Sequence, residues 1–249
     1  MTERFVIIGG SGELSSEDLH ITRTETCKTP WGEPSAPFEI SVCGGKEIFF
    51  LPRHGRGCRK PPHMINYRAN MWAISQLAPR AVVALCSVGG ILEEDKPGSI
   101  AIPDQLIDYT WGRESSYNKG DSEIINFVDF TQPFSESVRE KLLDAADDLL
   151  IPVIDGGTYA VRQGPRLETA AEIKKLAQDG AHYVGMTLMP EACLARELEL
   201  NYAVICQIVN PAAGVGASSS RIDMKAAGEV IRTATQKSVQ IVLKAFDNF

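Results

Sequence analysis

A chain of 249 residues, 44% apolar and 23% charged, is long enough to bury a substantial core and ordinary in make-up for a globular protein. Its net charge of −7 excludes a general nucleic-acid surface, which needs a basic stripe, but leaves room for a small cationic pocket for one anion. The six cysteines (Cys27, Cys43, Cys58, Cys86, Cys193 and Cys206) contain no C-x-x-C pair, so no disulfide framework is read from them and a reducing compartment is expected.

The N-terminal MTERFVIIGG sets acid and base before a short apolar run, which reads as a first strand and not a signal peptide. No stretch approaches the length of a membrane span, so a cytoplasmic protein without membrane or nucleic-acid partners is expected. That strand enters GGSG, a turn whose glycines let backbone amides approach an anion while Ser11 adds a hydroxyl. The turn approaches the dinucleotide fingerprint, with Ser15 where the last glycine would fall, but no ribose-binding acid follows on a second strand. A tight turn without a ligand is the alternative reading.

FEISVCGGKEIFFLPRH reads as a hairpin turning at Gly44-Gly45. It delivers Arg53 and His54 together at a strand end. They form either an anion clamp or a solvated arginine beside a packed histidine. Met64, Tyr67, Met71 and Ile74 recur at helical spacing after Pro61-Pro62. AVVALCSV is a continuous apolar strand, expected to end at Gly89-Gly90, and SIAIPDQLIDYT is a further strand with Pro103 at an edge or an end.

Phe134, Val138, Leu142 and Ala145 line one face of the next helix. GGTYAVRQGPR is a strand running into a Gly-Pro loop, and LETAAEIKKLAQDG is a helix stopped by Gly180. AHYVGMTL reads as a strand and MPEACLARELEL as a helix with Pro190 in its first turn. YAVICQIV is the last strand, ending where QIVNPAAG begins to turn, and a final helix runs from about Lys225 towards Phe249. Hairpins first and alternating strands and helices later predict one α/β domain over residues 1–249, a mixed sheet with helices on both faces.

Ligands in such folds sit beyond the carboxyl ends of strands. Met186 and Thr187 stand at one strand end and Glu191 on the helix after it; core packing and a favourable helix-terminal acid are the bland readings. Asn210 is either a loop opener or a ligand-facing amide able to donate and accept at once. No metal site is expected: His20, His54, His63 and His182 lack ligand spacing, and no H-E-x-x-H occurs. Walker A and G-x-S-x-G motifs are absent from the sequence too.

Eight segments, in order, resemble the trimeric purine nucleoside phosphorylase family, within its methylthioadenosine phosphorylase branch: IIGGSG, LPRHGRG, INYRANMWAISQL, SVGGILEEDKPGSI, DQLIDYTWGR, QGPRLETAAEI, GMTLMPEACLARELEL and VNPAAG. The resemblance spans nearly the whole chain. It implies that phosphate attacks the anomeric carbon of a purine nucleoside, releasing base and sugar 1-phosphate, with phosphate as co-substrate and no cofactor. It places phosphate on Ser11, Arg53, His54, Ser87 and Thr187, with Ser87 where relatives often carry threonine. It sets Met186 against the ribose, Val88 and Gly89 along the base, and Leu167 where relatives often place a phenylalanine over it.

Asn210 matches the residue holding the purine N7 edge, where a preorganised donor acts on charge that develops as the base departs. Adenine-specific relatives carry aspartate where this chain has Asn210, and a second aspartate where it has Ala212. Both departures point from methylthioadenosine to methylthioinosine, and VNPAAG is similar to the bacterial branch that cleaves it. Cys58 and Phe127 replace histidines found near the 5′ substituent in some relatives, which favours a methylthio group over a hydroxyl. The family's homotrimer would bring Phe127 from a neighbouring subunit, or Phe127 only packs an interface. Methylthioadenosine phosphorylase, a general inosine/guanosine phosphorylase, a nicotinamide-dependent dehydrogenase and a non-catalytic purine-binding protein are the competing readings.

Overall fold

The computed structural model describes residues 2–11, 14, 19–120 and 127–249; Ser15 lies outside them. The order is β1 (Arg4–Gly9), β2 (Arg23–Glu25), β3 (Phe38–Cys43), β4 (Lys46–Pro52), α1 (Tyr67–Ser75), β5 (Ala81–Gly90), β6 (Ile100–Ile102) and β7 (Gln105–Asp108). Then come α2 (Glu136–Asp148), β8 (Val153–Asp155), β9 (Thr158–Val161), α3 (Ala170–Gln178), β10 (Tyr183–Gly185), α4 (Leu188–Glu197), β11 (Tyr202–Pro211) and α5 (Met224–Asp247). The strands join in one mixed sheet, ordered β2-β3-β4-β1-β5-β10-β9-β7, with β11, β6 and β8 branching from β5.

Both faces of the central strands are covered, which is why they read as unbroken apolar runs. Alternate residues divide between two cores. Val6 and Ile8 of β1 pack with Met71 and Ile74 of α1 and with Ala192 and Ala195 of α4. Phe5 and Ile7 point the other way, into a cluster with Val138 and Leu142 of α2 and Val239 and Val242 of α5. Helices on both faces of a mixed sheet match the sequence expectation.

The sheet divides at β5, and this division makes the site. β1 pairs in parallel with β5 only from Phe5↔Ala81 to Ile8↔Ala84. On the same edge β10 pairs antiparallel with Gly89 and Gly90. β11 runs along the other edge, from Val82 to Gly90. Residues 85–88 of β5 are therefore left without a strand partner on one side, between the end of β1 and the start of β10.

Several boundaries differ from the sequence reading. β5 runs through Gly89-Gly90 instead of ending there, since both glycines pair with β10 and β11. Pro103 splits its segment into β6 and β7. AHYVGMTL shortens to β10, because Thr187 already serves as N-cap of α4. Met64 belongs to a 3₁₀ turn (Pro62–Met64) before α1 and is 66% exposed, so it lies off the buried helical face. β11 does not stop at Val209: it continues through Asn210 and Pro211 after a bulge.

Candidate active site

A cavity of about 250 Å³ opens where the sheet divides. Its walls come from segments just beyond strand ends, as expected of an α/β sheet. They are Gly10-Ser11 after β1, Arg53-His54 after β4, Cys86 to Gly89 on β5, Met186-Thr187 after β10 and Asn210 with Ala212 on and after β11. Leu167 and Glu168 precede α3, and Met224, Ala227 and Ile231 come from the first turns of α5. Gly10 is required by its surroundings: a Cβ there would lie 2.6 Å from the Leu85 carbonyl oxygen, a backbone atom that cannot swing aside.

The donors gather on one side. The Ser11 and Ser87 hydroxyls share a hydrogen bond of 2.8 Å. Thr187 sits at the start of α4, yet its hydroxyl does not cap the helix and instead lies 3.6 Å from Cys86 Sγ. His54 Nδ1 donates to the Lys60 carbonyl at 2.8 Å, which leaves Nε2 with the lone pair in the neutral ring. Burial, and then the Arg53 cation beside it, hold the His54 pKa below the ordinary imidazole value.

Arg53 is neither solvated nor an open clamp: it is 0% exposed. Its Nε and Nη2 donate to the two carboxylate oxygens of Glu191 at 2.6 and 2.8 Å. Nη1 reaches the Leu85 carbonyl at 3.1 Å and the Gly9 carbonyl at 3.5 Å, the backbone groups on either side of the sheet division. Burial is the strongest single influence and pushes this guanidinium down, but the charge and hydrogen bond of Glu191, with Cys86 and Tyr202 beside it, together raise it and keep Arg53 protonated. Glu191, also 0% exposed, accepts a third hydrogen bond from Tyr202 at 2.8 Å.

Asn210 owes its direction to the bulge in β11. Register passes from Ile208↔Val88 to Asn210↔Gly89, so Val209 is the extra residue that re-aims the strand end. The Asn210 amide donates one hydrogen to the Pro211 carbonyl at 2.7 Å. Ala212 is anchored by its N–H on the Gly90 carbonyl at 2.7 Å. Gly164, with φ of +63°, leaves room for Met186: a Cβ there would come within 2.5 Å of its sulfur.

Eleven of the residues expected at the site meet at this one cavity: Ser11, Arg53, His54, Ser87, Val88, Gly89, Leu167, Met186, Thr187, Asn210 and Ala212. Phe127 does not. It is 87% exposed and lines a separate cleft with Asp129, Gln132 and Arg196, so within this chain it cannot touch the site. The sequence reading missed Glu168 and the α5 residues. A capping box between Thr169 and Glu172 fixes the first turn of α3. Glu168 therefore stands just outside the helix, and T-x-x-E in LETAAEI was the signal available. Burial raises the Glu168 pKa above the usual carboxylate range.

A divided α/β sheet whose strand ends enclose hydroxyl donors, an amide, a carboxylate and an apolar wall is built to hold a small, partly polar molecule. The chain belongs to the phosphorylase superfamily, whose family model matches residues 4–247. It is 46% identical to a Pseudomonas syringae pv. tomato protein named "probable S-methyl-5′-thioinosine phosphorylase", over 84% of this chain and 85% of that one. It is 40% identical to the 6-oxopurine nucleoside phosphorylase of Pyrococcus furiosus, over 97% of this chain and 91% of the relative. Methylthioadenosine phosphorylase from Schistosoma mansoni, solved with adenine, superposes with a TM-score of 0.91 at 28% identity, covering 99% and 92% of the two chains. The protein is an enzyme of the purine nucleoside phosphorylase type. Among the described residues no helix is long and apolar enough to cross a membrane.

Proposed function

We propose that the enzyme cleaves 6-oxopurine nucleosides with inorganic phosphate, and that S-methyl-5′-thioinosine is its preferred substrate. The C1′–N9 bond breaks and its electron pair leaves with the purine. A phosphate oxygen bonds to C1′, and the proton released by phosphate goes to the departing base, giving 5-methylthioribose 1-phosphate and hypoxanthine. No cofactor is needed, because phosphate is a co-substrate.

The observation that carries this reading is that Asn210 and Glu168 line the same cavity as the hydroxyl donors Ser11, Ser87 and Thr187. A 6-oxopurine shows acceptors at N7 and O6 and a donor at N1. An amide donor serves the first edge and an ionised carboxylate accepts from N1–H. Adenine presents a lone pair at N1, which would face the carboxylate's own lone pairs. A site whose buried polar group is left unpaired discriminates by orders of magnitude. Ala212 supplies no second acid to accept from a 6-amino group. The relatives named for 6-oxopurine and methylthioinosine cleavage support the same conclusion.

Phosphate is assigned to the donor side: Ser11, Ser87 and Thr187 hydroxyls, with Arg53 and His54 behind them. The sugar lies against Met186 and the base along Val88, Gly89 and Leu167. The methylthio group is assigned to the apolar wall of Met224, Ala227 and Ile231, which offers a 5′-hydroxyl no partner. Phe127 completes the 5′ end from a neighbouring copy in a homotrimer; its near-complete exposure in the single chain supports that placement. Light scattering at a trimer's mass checks the assembly, and a monomer with full activity would overturn it.

The direct test is phosphorolysis of methylthioinosine and methylthioadenosine side by side, with and without phosphate. Phosphate-dependent hypoxanthine release with poor adenine release is expected. Preferred adenine release would sink the role given to Asn210 and Glu168 while leaving the family intact.

A further inference from the structure

The Arg53–Glu191 pair lies beneath the donor side of the cavity, and nothing in the proposed chemistry so far uses Glu191. Its geometry is specific. Glu191 grips the Nε and Nη2 side of the guanidinium through both oxygens, and Tyr202 at the start of β11 holds one of those oxygens in turn. Nη1 spans the sheet division to the carbonyls of Gly9 and Leu85. The remaining contact of Nη2 is to Cys86 Sγ at 3.8 Å. Sulfur is a weak acceptor, so an oxyanion in the cavity would displace it readily.

Four cavity segments are thereby tied to one buried charge. Gly9 leads into Gly10-Ser11, and Leu85 leads into Ser87. Arg53 carries His54 after it, and Glu191 sits one turn into the helix that Thr187 opens. We propose that Glu191 is a positioning residue for phosphate: it fixes the Arg53 guanidinium at the sheet division, and so sets the spacing of the Ser11, Ser87 and Thr187 hydroxyls. Residues 85–88 lack a strand partner on that edge, and Arg53 replaces it only while Glu191 holds it there. This inference rests on the assignment of phosphate to the donor side.

The experiment compares wild-type enzyme with Glu191→Gln, Glu191→Asp and Tyr202→Phe. Inorganic phosphate binding is measured by calorimetry, and the two KM values by phosphorolysis. Glu191→Gln is expected to weaken phosphate by about tenfold or more while the nucleoside KM stays within about twofold, one lost charge-assisted contact being worth that much. Glu191→Asp keeps the charge but shortens the reach, and is expected to recover only part of the loss. Tyr202→Phe leaves the ion pair whole and removes one orienting bond, so a smaller rise of about two- to fivefold in the phosphate constant is expected; it remains informative if Glu191→Gln does not fold. Phosphate constants unchanged in the folded variants, or nucleoside KM rising equally, would overturn the proposal. Wild-type enzyme that binds phosphate but releases no base would instead sink the proposed reaction, and calorimetry on the variants would still decide the role of Glu191.

Discussion

The two sides of the cavity are built on opposite principles. The donor side rests on a pair of charges with no exposed surface, tied to backbone carbonyls of two strands. The base and 5′ side has one amide on a bulged strand end, one half-buried carboxylate outside a helix, and apolar residues from the last helix. The difference teaches where the fold spends rigidity. On the proposed assignment this side meets phosphate, which presents the same shape at every turnover, and a fully satisfied network that any single loss would disturb suits it. Base and 5′ substituent are what distinguish one nucleoside from another, and the polar groups proposed to read the base, Asn210 and Glu168, stand outside the buried core.

The largest expected effect breaks the locked side. Glu191→Ala leaves a buried guanidinium without its counter-ion, at a cost of about 3–5 kcal/mol. For a chain of this length that is on the order of 10 °C in Tm, read by thermal unfolding. Asn210→Ala should do the reverse: lose on the order of 100-fold in kcat, as a donor acting on developing charge does, with Tm almost unmoved. If Asn210→Ala unfolds the protein as readily as Glu191→Ala, the contrast between the two sides is wrong.

The same contrast decides what could be read from sequence. Ser11, His54 and Thr187 were legible because an α/β sheet gathers its strand ends, so residues distant in sequence arrive together; Ser87 lies inside β5 and was marked only by the resemblance. Arg53 was legible as a site residue but not in its setting. Its partner Glu191 lies 138 positions away, and nothing local in MTLMPEAC distinguishes a buried carboxylate from a helix-terminal one. The α5 wall was missed because Met224, Ala227 and Ile231 reach the cavity only through the return of the last helix. β2 was missed for a different reason: its three residues are all exposed, so no apolar alternation marks it.

On the tunable side, Glu168→Gln should narrow the preference for methylthioinosine over methylthioadenosine by about 10- to 100-fold, the worth of a hydrogen bond to a charged group. The wild-type enzyme should show the same trend with pH. Burial raises the Glu168 pKa, so its proton returns at a higher pH than for an ordinary carboxylate. In the proposed role the ionised group accepts from N1–H of a 6-oxopurine, and the protonated group donates to N1 of adenine. The preference should be full above that pKa and fall as pH drops through it, measured as the ratio of the two kcat/KM values. A ratio that does not change with pH would remove Glu168 from base selection.

The smallest effect concerns the 5′ end, where selection rests on what the wall lacks. A 5′-hydroxyl against Met224, Ala227 and Ile231 gives up its water and gains no partner, whereas a methylthio group gives up nothing polar. Ile231→Asn offers such a partner without touching the donor side. It should lower the preference for methylthioinosine over inosine by about tenfold, since apolar pockets discriminate small groups by only one to three kcal/mol. The phosphate KM should stay fixed, because Ile231 lies on the α5 wall and Arg53–Glu191 beneath the donor side. A preference that survives Ile231→Asn unchanged would move the 5′ group away from α5 and leave selection there to Phe127 of a neighbouring copy.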